Sequence, residues 1–206
     1  ENSIAAYKHA LSLKTDYFEA YNSLGNAFVD RGELEEGMKA YKKALAIKPD
    51  TAEVFNNMAT IHSRQAEMAK AQKCYTKALE INPNYDEVYW NLSGAAKDIF
   101  EAKNWVEKCV KLNPNHEKAR LTLPALQYYI GEQEPFKTII NSADKGHPYI
   151  RSFEWVFGLP NLPELHFNRW SLFDQMVNRS KLHRPFYEFG VWRGQAFKYL
   201  IKSLKK

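Results

Sequence analysis

Long hydrophobic runs and cysteines are scarce in this 206-residue sequence. No apolar run approaches the roughly 20 residues that a membrane-spanning helix needs, so we expect no membrane partner. The two cysteines are too few for a disulfide framework and fit no metal motif, which favours a reducing compartment and a cytoplasmic location. With 45% hydrophobic and 26% charged residues, the composition is typical of a folded domain and excludes intrinsic disorder.

The net charge of +5 comes from the C-terminal part of the chain. Residues 1–150 contain 19 Lys and Arg against 20 Asp and Glu, whereas residues 151–206 contain 10 against 4. The basic tail lacks the aromatic stacking platform that accompanies cations in proteins that bind single-stranded nucleic acid. We therefore do not expect nucleic acid as a partner. Six histidines form no cluster at metal-ligand spacing, so no metal site is predicted.

A period of 34 residues runs through the first 150 residues. The segments YKHALSLKTD, YKKALAIKPD and YTKALEINPN align without gaps, with Tyr7, Tyr41 and Tyr75 at equivalent positions. Apolar residues at helical spacing predict two helices in each unit, each with one apolar stripe. We call the division of the chain into 34-residue units the frame. It predicts a partial unit over 1–17, two full units over 18–51 and 52–85, a shortened unit over 86–116 and a degenerate unit over 117–150.

Small residues are predicted at the points where paired helices cross closely, and glycine at the turn between them. The frame places Gly25 and Ala59 at the crossing and Gly32 and Gly131 at the turn. Pro124 occupies the crossing position of the final unit. Since proline removes a backbone hydrogen bond, we expect a distorted or short helix there.

A capping residue is predicted at the start of each unit. Asp16 and Asp50 occupy equivalent positions and are followed three residues later by Glu19 and Glu53. This spacing predicts capping boxes, in which the glutamate carboxylate bonds the backbone N–H of the cap.

These residues resemble the tetratricopeptide repeat, with an aromatic residue, Leu and Gly in the first helix, a small residue, an aromatic residue and Ala in the second, and a closing Pro. The resemblance implies an all-α fold, a right-handed superhelical solenoid of antiparallel helix pairs. It also implies a scaffold whose first helices line a concave groove that binds a peptide or partner protein. No catalytic residue is predicted in the repeats.

Asparagine is over-represented at the predicted groove positions. A side-chain amide offers a donor and an acceptor, so a ladder of amides can pair with successive peptide groups of an extended ligand. Alternatively, the amides solvate the inner face or bond between adjacent repeats. The groove does not resemble the carboxylate clamp for chaperone tails, because asparagine stands where that clamp has lysine. The candidate peptide-binding residues are Asn22, Asn26, Asn56, Asn57, Arg64, Trp90, Asn91 and Lys97.

The last part of the chain departs from the repeat. Two prolines in GLPNLPEL predict a linker or irregular connection over 151–168. Residues 169–206 predict a helix, then a strand, a glycine loop and another helix, which together form a short α/β-like fragment or a segment that caps the repeats. In this setting EFGVWRG resembles the first motif of class I S-adenosylmethionine-dependent methyltransferases, in the E-x-G-x-x-x-G form of the macrocin O-methyltransferase type.

The methyltransferase resemblance implies cofactor contacts from Glu188, Gly190 and Gly194, since glycine lets the loop pass close to the methionine part of the cofactor. The motif stands before any second strand that would hold the ribose, so we expect no cofactor in this chain and S-adenosylmethionine in a longer parent protein. The alternative function is therefore the N-terminal part of a methyltransferase. If the chain does not have that function, the glycine motif is an ordinary turn between a strand and a helix. An exposed C-terminal strand and open repeat ends are compatible with a homodimer.

Overall fold

The computed structural model describes residues 2–157. These residues form an all-α fold without strands. Within them, no helix is both long and apolar enough to cross a membrane. The predictions for 158–206, including Glu188, Gly190 and Gly194, lie outside the described residues. The helices are α1 (Asn2–Leu13), α2 (Phe18–Asp30), α3 (Leu34–Ile47), α4 (Ala52–Arg64), α5 (Met68–Ile81), α6 (Asp86–Ser93), α7 (Ile99–Leu112), α8 (Glu117–Tyr129), α9 (Glu134–Ile140), a 3-10 helix (Ala143–Gly146) and α10 (Pro148–Phe157).

The described chain divides into two compact units, over 2–88 and 89–157. In the first unit, α2 pairs with α3 and α4 pairs with α5, while α1 packs on α2. Each pair therefore spans one 34-residue period, as the sequence predicts. In the second unit, α8 packs on both α7 and α9, and α10 packs on α8 and α9.

The core of the first unit is built around Tyr41 on α3. Its side chain is 1% exposed, and its hydroxyl donates a hydrogen bond to Asn26 Oδ1 on α2 at 2.6 Å. The ring lies against Gly25, where a Cβ would overlap it. Val54 and Ile61 of α4 complete the same buried cluster. The small residue predicted at the helix crossing is thus required by a neighbouring ring.

The turns between paired helices adopt a left-handed backbone conformation. Gly32 and Gly131 have φ of +81° and +96°, which confirms their predicted place in these turns. Ala66 occupies the equivalent turn between α4 and α5 with φ of +62°. Because a Cβ in this conformation costs about 1–2 kcal/mol, the second repeat carries local strain that the glycines avoid.

The predicted caps Asp16 and Asp50 are wrong by one residue. The N-caps of α2 and α4 are Tyr17 and Thr51, and neither caps its helix through a side chain. The Glu53 carboxylate accepts a hydrogen bond from Asn22 Nδ2 on the neighbouring helix at 2.8 Å. The Glu53 carboxylate therefore bonds the adjacent repeat and does not form the capping box that the local sequence predicts.

The shortened repeat loses length from its first helix. The helix α6 has 8 residues, whereas α2 and α4 have 13 each. The Asp98 side chain caps α7 by accepting the Glu101 N–H at 2.8 Å. The helix α8 also has 13 residues and runs through Pro124, so the expected shortening is wrong. Burial of Leu121 and Ala125 on either side of the proline stabilises the continuous helix.

The helix α10 lies where the sequence predicts the start of an irregular connection. Residues 151–157 are helical, and 158–168 lie outside the described residues. Phe157 stacks on Tyr128 with ring centroids 4.1 Å apart and meets Phe136 edge-on at 4.7 Å. Ile150 of α10 is fully buried in the same cluster. A helix outside the 34-residue frame therefore completes the core of the second unit.

Candidate peptide-binding face

One side of α2 and the equivalent side of α4 form a continuous polar surface in the first unit. Successive residues on each helix are spaced by four, three and four, which places them on one side of a helix. A hydrogen bond of 3.1 Å from Asn57 Nδ2 to Asn26 Oδ1 joins the two rows. We call this surface the first-helix face, and its residues are Glu19, Ser23, Asn26, Asp30, Glu53, Asn57, Thr60 and Arg64.

The asparagines of this surface bond between adjacent repeats. Asn57 Nδ2 lies 3.4 Å from Asn22 Oδ1 in addition to its bond with Asn26. The Asn26 side-chain oxygen also accepts the Tyr41 hydroxyl, so it receives two donors. Bonding between repeats was one of the two roles that the sequence left open. The Asn26 Nδ2 group has no hydrogen-bond partner within residues 2–157, and its side chain is exposed.

Arg64 lies at the edge of the first-helix face, at the end of α4. Its Nη1 donates to the backbone oxygen of Val29 at 3.0 Å. The last carbonyls of a helix lack partners within that helix, and α2 ends at Asp30. Arg64 therefore serves as a C-terminal cap for the neighbouring repeat, a role that its position in the sequence does not reveal.

The other candidate residues occupy different environments. Asn22 and Asn56 are only 8% and 6% exposed, so they lie beneath the first-helix face. Trp90 belongs to the second unit, where its ring centroid lies 5.5 Å from that of His116. Asn91 is half-buried in α6, and Lys97 is exposed in the turn after it. The structure thus joins Asn22, Asn26 and Asn57 by hydrogen bonds, whereas Arg64 bonds the backbone of α2 at Val29.

A cavity of about 330 Å³ opens beside Asn26 and Asp30, between α1 and α2. Its walls are polar on the side of Asp30 and carry one aromatic ring, that of Tyr7. Sequence reasoning missed this cavity, because the repeat frame assigns Tyr7 to a packing stripe. The full lining is Ser3, Tyr7, Ser23, Asn26, Ala27, Asp30 and Arg31.

Burial and nearby carboxylates raise the pKa values of two tyrosines close to the first-helix face. Burial raises the pKa of Tyr85, and the negative charges of Glu53, Glu87 and Asp86 raise it further. Burial is also the main reason that the pKa of Tyr41 is raised, with Asp30 adding to the shift and the positive charge of Arg64 opposing it. The carboxylates are spread along the helices, and within residues 2–157 no group of three or more His, Cys, Asp or Glu side chains could hold a metal ion.

Two family models match the repeat part of the chain. A model described as TPR repeat covers residues 25–65, and one described as tetratricopeptide repeat covers residues 52–85. No curated protein matches the sequence significantly.

Solved structures resemble the chain in fold. PilF of Pseudomonas aeruginosa is 19% identical, with a TM-score of 0.60 over 97% of this chain and 77% of its own. YrrB, described as a TPR protein with an unusual peptide-binding site, is 19% identical, with a TM-score of 0.56 over 74% and 81%. The first TPR of Spaghetti (RPAP3), bound to the HSP90 peptide SRMEEVD, is 22% identical, with a TM-score of 0.51 over 55% and 92%. Residues 25–85 therefore match tetratricopeptide repeats, and the chain is similar in fold to solved proteins built from them.

Proposed function

We propose that the chain is a protein-interaction scaffold that binds an extended peptide on the first-helix face. The observation that carries this proposal is the Asn57–Asn26 hydrogen bond, which joins two repeats into one polar surface. YrrB, described as having an unusual peptide-binding site, and the RPAP3 repeat, which is bound to a peptide, support the proposal by analogy of fold.

The amide network suits this role because it holds its groups in place before a ligand arrives. Asn26 is fixed by Tyr41 and Asn57, so binding requires little ordering of its side chain. Its exposed Nδ2 is a donor for a peptide carbonyl. Each such hydrogen bond contributes about 0.5–1.5 kcal/mol net, so several of them support affinity in the micromolar range.

Replacement of Asn57 by Ala tests the proposal. We expect the dissociation constant for a fluorescein-labelled 12-residue peptide of alternating Ala and Gln to rise about tenfold, since the change removes the bond that joins the two repeats and leaves Asn26 held by Tyr41 alone. Fluorescence anisotropy with the full chain measures it, and thermal unfolding checks the fold. The matched control is Asn104→Ala, at an exposed asparagine on α7. Absence of saturable binding to the natural chain, or an equal loss in both variants, would contradict the proposal.

A second candidate function concerns residues outside the described part of the chain. We propose that Glu188, Gly190 and Gly194 belong to a site for S-adenosylmethionine, and the support is their E-x-G-x-x-x-G pattern alone. Isothermal titration of a longer parent protein that contains this chain with S-adenosylmethionine tests this role. We expect saturable binding that Gly190→Leu abolishes, because a side chain there fills the space of the methionine part. No heat of binding, or no effect of the substitution, contradicts it.

A further inference from the structure

We infer that the first-helix face selects a cationic peptide segment and that the cavity beside Asp30 receives one of its Lys or Arg side chains. This inference rests on the proposed function, because it names the chemistry of the ligand that the same surface binds.

Among the helices α2 to α5, all the lysines lie on the second helices of the repeats. The helix α2 carries Glu19 and Asp30 and no basic residue, and α4 carries Glu53 and Arg64. Lysines belong to the second helices, where Lys39 and Lys77 pair with glutamates of their own helix at 2.7 and 3.0 Å. The lysines of α3 and α5 are Lys39, Lys42, Lys43, Lys70, Lys73 and Lys77.

The negative charge of the first-helix face is not neutralised by ion pairs within residues 2–157. Glu19, Asp30 and Glu53 form no ion pair there, and Glu53 accepts only the neutral amide of Asn22. The Arg64 guanidinium donates to the Val29 carbonyl and keeps its positive charge, so it offsets one of the three carboxylates. The face therefore presents three carboxylates against one guanidinium, a net negative charge that attracts a cationic ligand and repels an anionic one.

The cavity offers the groups that a cationic side chain requires. Asp30 supplies a full negative charge, the hydroxyls of Ser3 and Ser23 supply acceptors, and the Tyr7 ring supplies a face for a cation–π contact. Arg31 also lines the cavity, but its Nη2 pairs with Glu33 at 2.7 Å. The volume of about 330 Å³ lies at the lower end of the range for small-ligand sites, which suits one long side chain.

The net charge of the whole chain predicts the opposite ligand preference from the charge of the first-helix face. At +5, the chain would favour an anionic peptide if its long-range field decided selectivity. At physiological salt the screening length is about 8 Å, so charges in contact with the ligand outweigh distant ones. The face and the whole chain therefore predict opposite preferences.

Three labelled 12-residue peptides, in which Ala alternates with Lys, Gln or Glu, test this inference on the full chain in 150 mM NaCl. We expect the Ala–Lys peptide to bind at least about tenfold more tightly than the Ala–Glu peptide, with Ala–Gln between them. Asp30→Asn keeps the side-chain shape and should reduce the ratio by about threefold or more. The control Glu35→Gln, at an exposed residue of α3, removes the same charge outside the face and should leave the ratio unchanged.

The outcomes separate this inference from the proposed function. Equal affinity for the three peptides, or tighter binding of Ala–Glu, overturns the charge preference while peptide binding stands. No saturable binding of any peptide contradicts both. An equal change in the Asp30 and Glu35 variants overturns the assignment of the cavity, because a general charge effect would then account for the preference.

Discussion

Replacement of Tyr41 by Ala is expected to destabilise the protein by about 3–5 kcal/mol, as for other large aromatic residues in a core. The side chain is 1% exposed, and its ring fills the space above Gly25. Its loss leaves a cavity between α2, α3 and α4 and removes a donor from Asn26. Since native domains are stable by about 5–15 kcal/mol, this single change removes much of the stability of the first unit.

Urea unfolding followed by circular dichroism measures the effect of the Tyr41 substitution. Tyr41→Phe keeps the ring and removes only the hydroxyl, so we expect a smaller loss of about 1 kcal/mol. Tyr17→Ala is the control at the surface, because that side chain is 38% exposed and should cost less than about 1 kcal/mol. Similar losses for Tyr41→Ala and Tyr17→Ala would show that the repeats do not pack around Tyr41.

Replacement of Leu121 by Ala should destabilise the second unit by about 2–5 kcal/mol. The Leu121 side chain is fully buried, and it packs in one cluster with Phe136 of α9 and Ile150 of α10. Deletion of its methyl groups leaves a space that three helices would have to close. The substitution therefore tests whether α8, α9 and α10 share a core although their sequence departs from the repeat.

The control for this second prediction is Leu112→Ala. Leu112 is 40% exposed at the end of α7, so its loss should cost less than about 1 kcal/mol. Urea unfolding, with intrinsic tryptophan fluorescence as the signal, compares the two variants. If the midpoints of Leu121→Ala and Leu112→Ala agree, the cluster around Leu121 does not stabilise the unit.

For the asparagines, the repeat pattern in the sequence predicts only part of the candidate binding site. The frame predicts that Asn26 and Asn57 lie on first helices with the same orientation. It does not decide whether their amides face a ligand or each other, because both roles require the same spacing. The packing of neighbouring helices decides it, and α3 packs closely on α2 because Gly25 of α2 and Gly37 of α3 have no side chains. At Gly37 a Cβ would lie 2.8 Å from Val29 Cγ2, so a larger residue would push the helices apart.

By itself, the sequence determined the features that depend on residues near one another in the chain. These are the 34-residue period, the helix pairs and the glycine turns at Gly32 and Gly131, because burial of one stripe on a helix imposes its own spacing. Only the tertiary structure decided the bond of Glu53 to Asn22 and the packing of α10 beside α8. Contacts of this kind join residues from different helices. They leave no periodic signal, since the free energy of such a contact depends on which surfaces the fold brings within reach.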